Sequence, residues 1–377
     1  MVDPAVVKEL IPYFTEFFGN PLSLHAFGRV AHTALEKART QVASILKGDP
    51  AEIIFTAGGT EADNMAIKGI ASQHTHKRKT TGPHIITSAI EHPAVRESCR
   101  YLESQGFSVA YLPVDRYGLV DPETLAATIS KDTFLVSIMY ANNEIGTIEP
   151  IREIGKITQS HEVLFHTDAV QAVGKTAIDV QKSHIDLLSL SSHKIYGPKG
   201  VGALYLREGI KLQPIVHGGG HERGMRSSTH NMPGIVGLGK ACELAQTRIQ
   251  KDTHALTKLR DQLIANVLKI SESTLNGHPE KRLCNNAHFR FKGIEGESLL
   301  LTLDEKGIAV STGSACSSTK TDVSHVLSAI GLSALEAQGS IRLTLGRKNT
   351  AEEMEYVATT LQQSVEKLRM ISPLWSN

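Results

Sequence analysis

The chain has 377 residues, and its 40 Lys and Arg residues almost balance its 39 Asp and Glu residues. This length accommodates one large domain and a smaller one, with a core that needs no disulfide or structural metal. The balanced charge gives no basic surface for nucleic acid, no apolar run reaches membrane-spanning length, and no secretory signal is visible at the N-terminus. The four cysteines are widely separated, which favours a reduced cytoplasmic setting over paired metal ligands.

Helix and strand patterns alternate through most of the chain. Residues 25–47 predict an amphipathic helix, and a strand at 52–56 leads through Gly58 and Gly59 into a second helix. This alternation predicts an α/β fold with a mostly parallel central sheet, in which helices begin near Pro93, Pro122 and Pro150. The further predicted strands are 84–88, 108–112, 134–140, 163–167, 185–190 and 201–206.

The last third of the chain has shorter and more mixed patterns. An amphipathic helix is predicted at 254–270 and an alternating strand at 340–347, while Thr350 and Glu353 form a capping box that opens a final helix. We therefore predict a large domain over residues 16–249 and a smaller α+β domain made of residues 1–15 and 250–377.

Polar residues gather where four of the predicted strands end. Glu91 and His92 follow one strand, Asn142 the next, Asp168 a third and Lys194 a fourth. Because ligands bind at the carboxyl ends of parallel strands, these positions predict one functional pocket. A structural role would explain any one of them singly, but it does not readily explain all of them at one edge.

The type of chemistry follows from Lys194 and from the glycine turn before the second helix. A lysine in a partly desolvated pocket can form a Schiff base with an aldehyde, although a lysine taken alone is more often a surface residue. The turn at Gly58 and Gly59 can cradle a phosphate, although glycines also make ordinary turns. Together with Asp168, which can pair with a pyridine nitrogen, and His92, which can cover a ring, these residues suit pyridoxal phosphate.

Cys316 lies in a stretch of small polar residues, 311–321, that predicts a mobile exposed loop. Cys99, Cys242 and Cys284 stand in predicted helices or beside strands, where a packed small side chain is expected. Cys316 has no apolar neighbours to pack with, so it is a candidate nucleophile.

Taken together, these motifs resemble a cysteine desulfurase, a pyridoxal phosphate-dependent class-V aminotransferase-like enzyme, in the iron–sulfur-assembly branch with a long cysteine loop. The matching motifs span nearly the whole chain in the order of that family. They are Gly58-Gly59-Thr60-Glu61, Glu91-His92, Asn142-Asn143-Glu144-Ile145-Gly146, Asp168-Ala169-Val170-Gln171, Ser191-Ser192-His193-Lys194, Gly197-Pro198-Lys199-Gly200, Arg226-Ser227-Ser228-Thr229, the Cys316 loop and Ser340-Ile341-Arg342.

The resemblance implies the fold type I architecture of pyridoxal phosphate enzymes and a homodimer with the cofactor near the subunit interface. Lys194 would hold the cofactor aldehyde, Asp168 the pyridine nitrogen and Gln171 the phenolic oxygen. His92 would stack on the ring and relay protons, and Thr229 would reach the phosphate from the other subunit. The implied cofactor contacts are Gly59, Thr60, His92, Asp168, Gln171, Ser191, Ser192, His193, Lys194 and Thr229.

For the substrate, the resemblance implies that Asn142 and Arg342 hold the carboxylate of L-cysteine. Cys316 would take the sulfur as a persulfide, leaving L-alanine, and pass it to acceptor proteins such as an iron–sulfur scaffold. The implied catalytic residues are Cys316, Lys194 and His92, with no resident metal, although Cys316 would be a candidate transient ligand of an iron–sulfur cluster.

The sequence departs from the family pattern at three places. Family members usually begin with an extra strand carrying an Ala-Thr-Thr-like segment, which is not found ahead of Asp3; Ser228 stands where glycine is common; and the sequence after Trp375 is shorter than in some relatives. The alternatives are a selenocysteine or cystine lyase or a transaminase, neither of which needs Cys316, and an inactive homologue lacking the N-terminal strand. An intact Lys194 and Asp168 argue against the inactive homologue.

Overall fold

The computed structural model describes residues 1–74, 82–312 and 323–375. The chain forms two compact units. The larger unit consists of Met1–Leu112, Pro122–Tyr140 and Pro150–Ile249, and the smaller unit consists of Pro113–Asp121, Ala141–Glu149 and Gln250–Asn377.

The N-terminal residues 1–15, which the sequence analysis assigned to the small domain, lie in the larger unit. Val6 is buried there, the Asp3 backbone N–H donates to the Tyr196 carbonyl at 2.9 Å, and the Asp3 carboxylate pairs with Arg248 at 3.1 Å. These contacts join positions far apart in the chain, so the local pattern of residues 1–15 carries no sign of them.

Two short segments from the middle of the chain, 113–121 and 141–149, belong to the smaller unit. Thr147 forms an antiparallel bridge with Arg282, and the Val120 backbone N–H donates to Glu149 Oε2 at 2.9 Å. The predicted large domain of 16–249 therefore contains two insertions that pack with residues beyond 250.

A seven-stranded sheet forms the centre of the larger unit. Its strands are β1 Ile53–Thr56, β2 His84–Ser88, β3 Ser108–Leu112, β4 Thr133–Ser137, β5 Leu164–Asp168, β6 Leu187–Ser191 and β7 Gly202–Leu206. They are arranged in the order β1-β7-β6-β5-β4-β2-β3. Within this sheet, β7 alone runs antiparallel to both of its neighbours, so the predicted mostly parallel sheet is confirmed.

Helices pack against this sheet and bury several of its strands along their whole length. All residues of β4, β6 and β7 are buried, as expected for strands with both faces covered. The helices that begin in the larger unit are α1 Pro4–Leu10, α2 Pro12–Thr15, α3 Ala26–Leu46, α4 Gly59–Ala71, α5 Pro93–Ser104, α6 Pro122–Thr128, α7 Ile151–Ser160 and α8 Met232–Val267. The helix predicted at 254–270 is the second half of α8, whose apolar spacing already begins at Ile235 and Leu238.

The smaller unit contains a three-stranded antiparallel sheet in the order β10-β9-β8, with β8 Ser273–Asn276, β9 Asn286–Phe291 and β10 Ser340–Thr344. Its further helices are α9 Gly296–Asp304, α10 His325–Ala329, α11 Ala334–Gln338 and α12 Ala351–Ile371. The predicted capping box opens α12, where Thr350 accepts from the Glu353 backbone N–H. Phe289 and Leu361 belong to the separate core of this unit. Across the described ranges, no helix is both long and apolar enough to cross a membrane.

Candidate active site

Lys194 lies immediately after a buried strand, as predicted. Strand β6 ends at Ser191, and a single 3₁₀ turn, Ser192–Ile195, carries the half-buried lysine. A Cβ added at Gly197 would lie 2.0 Å from Ser192 Oγ, so only glycine allows this tight connector. The lysine is therefore presented by backbone that is fixed on both sides.

Asp168 ends the neighbouring strand β5 and is buried. Its Oδ1 accepts the Val170 backbone N–H at 2.9 Å. Burial raises the pKa of this carboxyl, while the Val170 N–H, His92 and Lys194 act in the opposite direction. A cationic N–H placed against Asp168 would relieve this desolvation, and a protonated pyridine nitrogen is such a group.

His92 caps the N-terminus of α5, where its Nδ1 accepts the Ala94 backbone N–H at 3.2 Å. This hydrogen bond leaves the proton of the neutral ring on Nε2. Burial lowers the pKa of His92, the charge of Asp168 opposes the change, and Lys194 adds to it. A ring nitrogen of His92 and a carboxylate oxygen of Asp168 lie within 4.8 Å of each other, so the structure brings these two predicted residues together.

A cavity of about 700 Å³ is lined by Gly59, Thr60, Ser191 and His193, together with Lys199. Gly59 is the first residue of α4, and a Cβ added there would lie 2.6 Å from Val170 Cγ2. The N-terminus of α4, a helix of 13 residues, and the side chain of Lys199 both border this cavity. Both favour a bound phosphate there.

Six of the predicted cofactor contacts are not among the lining residues of this cavity: His92, Asp168, Gln171, Ser192, Lys194 and Thr229. The Ser192 hydroxyl is buried against Gly197. Gln171 is half-buried, and its backbone carbonyl accepts from Lys175 Nζ at 3.0 Å. Thr229 is exposed on the loop that precedes α8.

Arg226, a basic residue of the loop before α8, is paired with an acidic side chain at the glycine turn. It binds both carboxylate oxygens of Glu61, at 2.7 and 3.1 Å. Glu61 also accepts the Ala57 backbone N–H at 2.6 Å. Arg226 therefore secures the glycine turn that precedes α4.

In the smaller unit, Arg342 on β10 donates from Nη1 to the Asn143 carbonyl at 2.9 Å. Asn142 is buried, and its Oδ1 accepts the backbone N–H groups of Glu144 and Ile145, both at 2.9 Å. The group that Asn142 can offer a carboxylate is therefore its side-chain NH₂. Asn142 and Arg342 belong to one hydrogen-bonded neighbourhood of this unit.

Cys316 lies outside the described residues, and so does most of the loop predicted around it. On one side of this segment, the Ser311 backbone N–H donates to the Arg342 carbonyl at 3.1 Å. On the other side, Ser324 Oγ donates to Glu144 Oε2 at 2.6 Å. Burial raises the pKa of Glu144 to about 7, against the effects of Ser324 and Arg342. Both described flanks are thus joined to the Asn142–Arg342 neighbourhood.

The sequence analysis missed a buried acidic residue, Asp63, which lies on α4 with a carboxyl oxygen within 4.8 Å of one of Asp168. It occupies the same helix face as Ala66, Ile67 and Ile70, all of which are buried. A carboxylate at an apolar position of an amphipathic helix is the signal that could have identified it.

The chain is similar to known proteins over nearly its whole length. The family model described as Aminotransferase class-V matches residues 1–357. A protein from Methanosarcina thermophila named Cysteine desulfurase IscS is 54% identical over 98% of this chain and 90% of its own length. A solved structure of a NifS-like protein is 40% identical, with a TM-score of 0.91 over 97% of each chain. A solved structure of SspA in complex with cysteine is 37% identical, with a TM-score of 0.82 over 91% of this chain and 95% of that one.

The residues of the larger unit fit the cofactor that this family uses. A buried carboxylate, a half-buried lysine, a neutral imidazole and an anion-binding helix terminus are the groups that pyridoxal phosphate requires of a protein. The chain belongs to the class-V aminotransferase family and, within it, to the pyridoxal phosphate-dependent cysteine desulfurases.

Proposed function

We propose that this chain converts L-cysteine to L-alanine and transfers the sulfur to Cys316 as a persulfide. The observation that carries the proposal is the proximity of Asp168 and His92, together with the charge interaction between Asp168 and Lys194 on the adjacent turn. The cysteine bound by the structurally similar SspA supports cysteine as the substrate class.

Pyridoxal phosphate, when bound, supplies an electron sink for the amino acid attached to it. Lys194 would hold its aldehyde, and Asp168 would hold its pyridine nitrogen through a charge-assisted hydrogen bond. Thr60, Ser191 and His193 would hold the phosphate, with Gly59 leaving room for it at the N-terminus of α4.

His92 would orient the ring of the cofactor and handle protons through Nε2. Its Nδ1 accepts the Ala94 N–H, so in the neutral ring Nε2 carries the proton and would present it as a hydrogen-bond donor. The lowered pKa of His92 favours this neutral form. To act as a base through Nε2, the ring would give up the Ala94 hydrogen bond and carry its proton on Nδ1 instead.

Cys316 would act as the nucleophile toward the substrate sulfur. Its thiolate forms the new S–S bond while the C–S bond of the substrate breaks. The electron pair left on the substrate carbon takes up a proton, so the products are alanine and a persulfide and no external oxidant is required. Arg342 and Asn142 would hold the substrate carboxylate, because Arg342 carries the charge and Asn142 offers its NH₂ group.

A homodimer is supported by exposed apolar side chains concentrated in one N-terminal stretch. Phe14 and Phe18 are each 67% exposed, Leu24 is 90% exposed and Phe27 is 58% exposed. Apolar side chains clustered in this way mark interaction sites on soluble proteins. The exposed Thr229 agrees with a contact reaching a second subunit.

The persulfide would be handed to sulfur acceptors such as an iron–sulfur scaffold, in the cytoplasm. A reducing compartment suits this chemistry because a persulfide is released to its acceptor by thiol exchange.

The test is alanine formation from L-cysteine, measured with added pyridoxal phosphate and reductant. Wild type is expected to form alanine, and Lys194→Ala is expected to lose both turnover and the visible absorbance of the bound cofactor. Lys182→Ala removes an exposed lysine of the same unit and should behave as wild type. Retention of an unchanged visible band in Lys194→Ala would overturn the assignment of this lysine.

A further inference from the structure

Asp63 is a buried carboxyl group that the proposed function does not use. It is 1% exposed, and within the described part of the chain its Oδ1 has no hydrogen-bond partner. Buried polar groups without partners are rare in native proteins and call for an explanation. His166 Nε2 lies 3.7 Å from this oxygen, beyond hydrogen-bond distance.

Asp63 adjoins a buried polar network on the same face of the sheet as Asp168. His166 and Asp168 are two positions apart on β5, so their side chains share one face. His166 Nε2 lies 3.0 Å from Ser189 Oγ, and His166 Nδ1 lies 2.8 Å from Ser137 Oγ. Ser189 is the register partner of Asp168 on the neighbouring strand, and it also hydrogen-bonds to Asp63. The network thus links Asp63 to the pair of strands that carries Asp168.

The two carboxyl groups, Asp63 and Asp168, present oxygens within 4.8 Å of each other, both in the protein interior. Two carboxylates so close cannot both be ionised at low cost, so one of them keeps a proton. Burial raises the pKa of Asp63 well above its usual range, and Asp168 and Glu91 raise it further against the effect of Ser189. His166 does not supply the compensating charge, because burial lowers its pKa to about 3.

The remaining charged groups determine which carboxyl is ionised. His92 and Lys194 favour the charged form of Asp168, whereas Asp63 has only the carboxylates Asp168 and Glu91 as charged neighbours that act on its pKa. The proton therefore belongs on Asp63, and the single negative charge belongs on Asp168.

We propose that Asp63 is a positioning residue for Asp168, a neutral carboxylic acid that leaves the single negative charge of the buried pair on Asp168. This inference rests on the proposed role of Asp168 toward the pyridine nitrogen. Asp63 would thereby keep Asp168 as the charged member of the pair, available to a cationic partner.

Two substitutions separate a neutral role from a charged one. Asp63→Asn keeps the shape and hydrogen-bonding capacity without the charge, and Asp63→Leu removes both. The readouts are the dissociation constant of the apoenzyme for pyridoxal phosphate and the pH midpoint of the visible absorbance of the bound cofactor. We expect Asp63→Asn to stay within about threefold of wild type and Asp63→Leu to weaken binding by about tenfold with a shifted midpoint.

An equal loss in both variants would mean that an ionised Asp63 is needed and would overturn the proposal. Unchanged affinity and midpoint in Asp63→Leu would overturn it as well, since Asp63 would then not act on Asp168. If Asp63→Leu does not fold, Ser189→Ala tests the same connection, and an unshifted midpoint in that variant would contradict it.

Two controls make the result specific. Glu52→Gln neutralises another buried carboxylate of the larger unit and should leave both readouts unchanged. Asp168→Asn tests the assignment on which the inference rests. If that variant keeps the wild-type affinity and spectrum, the proposed role of Asp168 fails, whatever the Asp63 variants do.

Discussion

Glu222 offers the sharpest test of how the loop before α8 is held. Its carboxylate accepts both Arg39 guanidinium nitrogens, at 2.8 and 2.9 Å, as well as the Phe55 N–H and His230 Nε2, both at 2.8 Å. Glu222 and Arg223 also have positive φ angles, 48° and 57°, which non-glycine residues adopt only when their surroundings enforce it. The perturbation is Glu222→Gln, which keeps the shape and removes the charge.

The expected cost is about 3 kcal/mol of unfolding free energy. Breaking a buried ion pair by neutralising one partner costs about 3–5 kcal/mol, and the lower end applies because Arg39 keeps Glu36 at 3.1 Å and the Ile53 carbonyl at 2.8 Å. Burial alone would raise the pKa of Glu222, but Arg39, His230 and the Phe55 N–H lower it to about 2. That shift from an ordinary value near 4.5 corresponds to about 3 kcal/mol as well.

Because the pKa is lowered in the folded state, this stabilisation is present above about pH 4.5 and is lost as the pH falls toward 2. The assay is urea unfolding at pH 7, followed by circular dichroism. Glu97→Gln is the matched control, since its pair with Arg100 is exposed and should contribute less than about 0.5 kcal/mol. A cost for Glu222→Gln no larger than that of the control would refute the reasoning.

Two further predictions concern charged groups at the proposed site. Burial raises the pKa of Glu91 to about 8. The contribution of protonated Glu91 to stability is therefore complete below about pH 4.5 and is lost as the pH rises through 8. Between pH 5 and 9, the melting temperature of Glu91→Gln should fall less than that of wild type. A loss of stability with pH as steep as that of wild type would mean that ionisation of Glu91 is not its cause. Arg342→Ala should raise the KM for L-cysteine by more than about tenfold while leaving pyridoxal phosphate affinity unchanged, and an unchanged KM would remove Arg342 from substrate binding.

The central sheet could be predicted because both of its faces are covered. Largely apolar runs such as Leu187–Ser191 indicate where the buried strands lie. The helices between them, some with proline in the first turn, indicate a parallel arrangement. Strand ends were less certain. The run at 134–140, for example, forms the strand Thr133–Ser137, beyond which Ile138 and Tyr140 still donate their backbone N–H groups to the carbonyls of His166 and Asp168. Apolarity extends past the point where regular pairing ends, so it does not fix the strand boundary.

The candidate site residues at strand ends could also be predicted from sequence, since Lys194, Asp168 and His92 each come soon after an apolar run. The buried partners could not be predicted in this way. Asp63 reaches Asp168 from α4, and Glu222 reaches Arg39 across 183 positions of chain. Such contacts depend on packing between distant elements, and a single sequence carries no local signal for them beyond a charged residue at an apolar position.

The membership of residues 1–15 in the larger unit has the same origin. Their short helices contain nothing that distinguishes one core from the other, and the outcome depends on Asp3 meeting Tyr196 and Arg248. The role of Cys316, by contrast, was predicted from the composition of its loop and from the family resemblance, and it stays a prediction.

The most direct test of the account is the location of sulfur after one turnover. The holoenzyme is mixed with L-cysteine, and its peptides are analysed by mass spectrometry for an added sulfur atom. We predict a persulfide on Cys316 alone, formed together with alanine, because Cys99, Cys242 and Cys284 are buried and burial raises the pKa of the first two to about 12. Alanine formation with the sulfur on another cysteine, or with unchanged turnover in Cys316→Ala, would contradict the account.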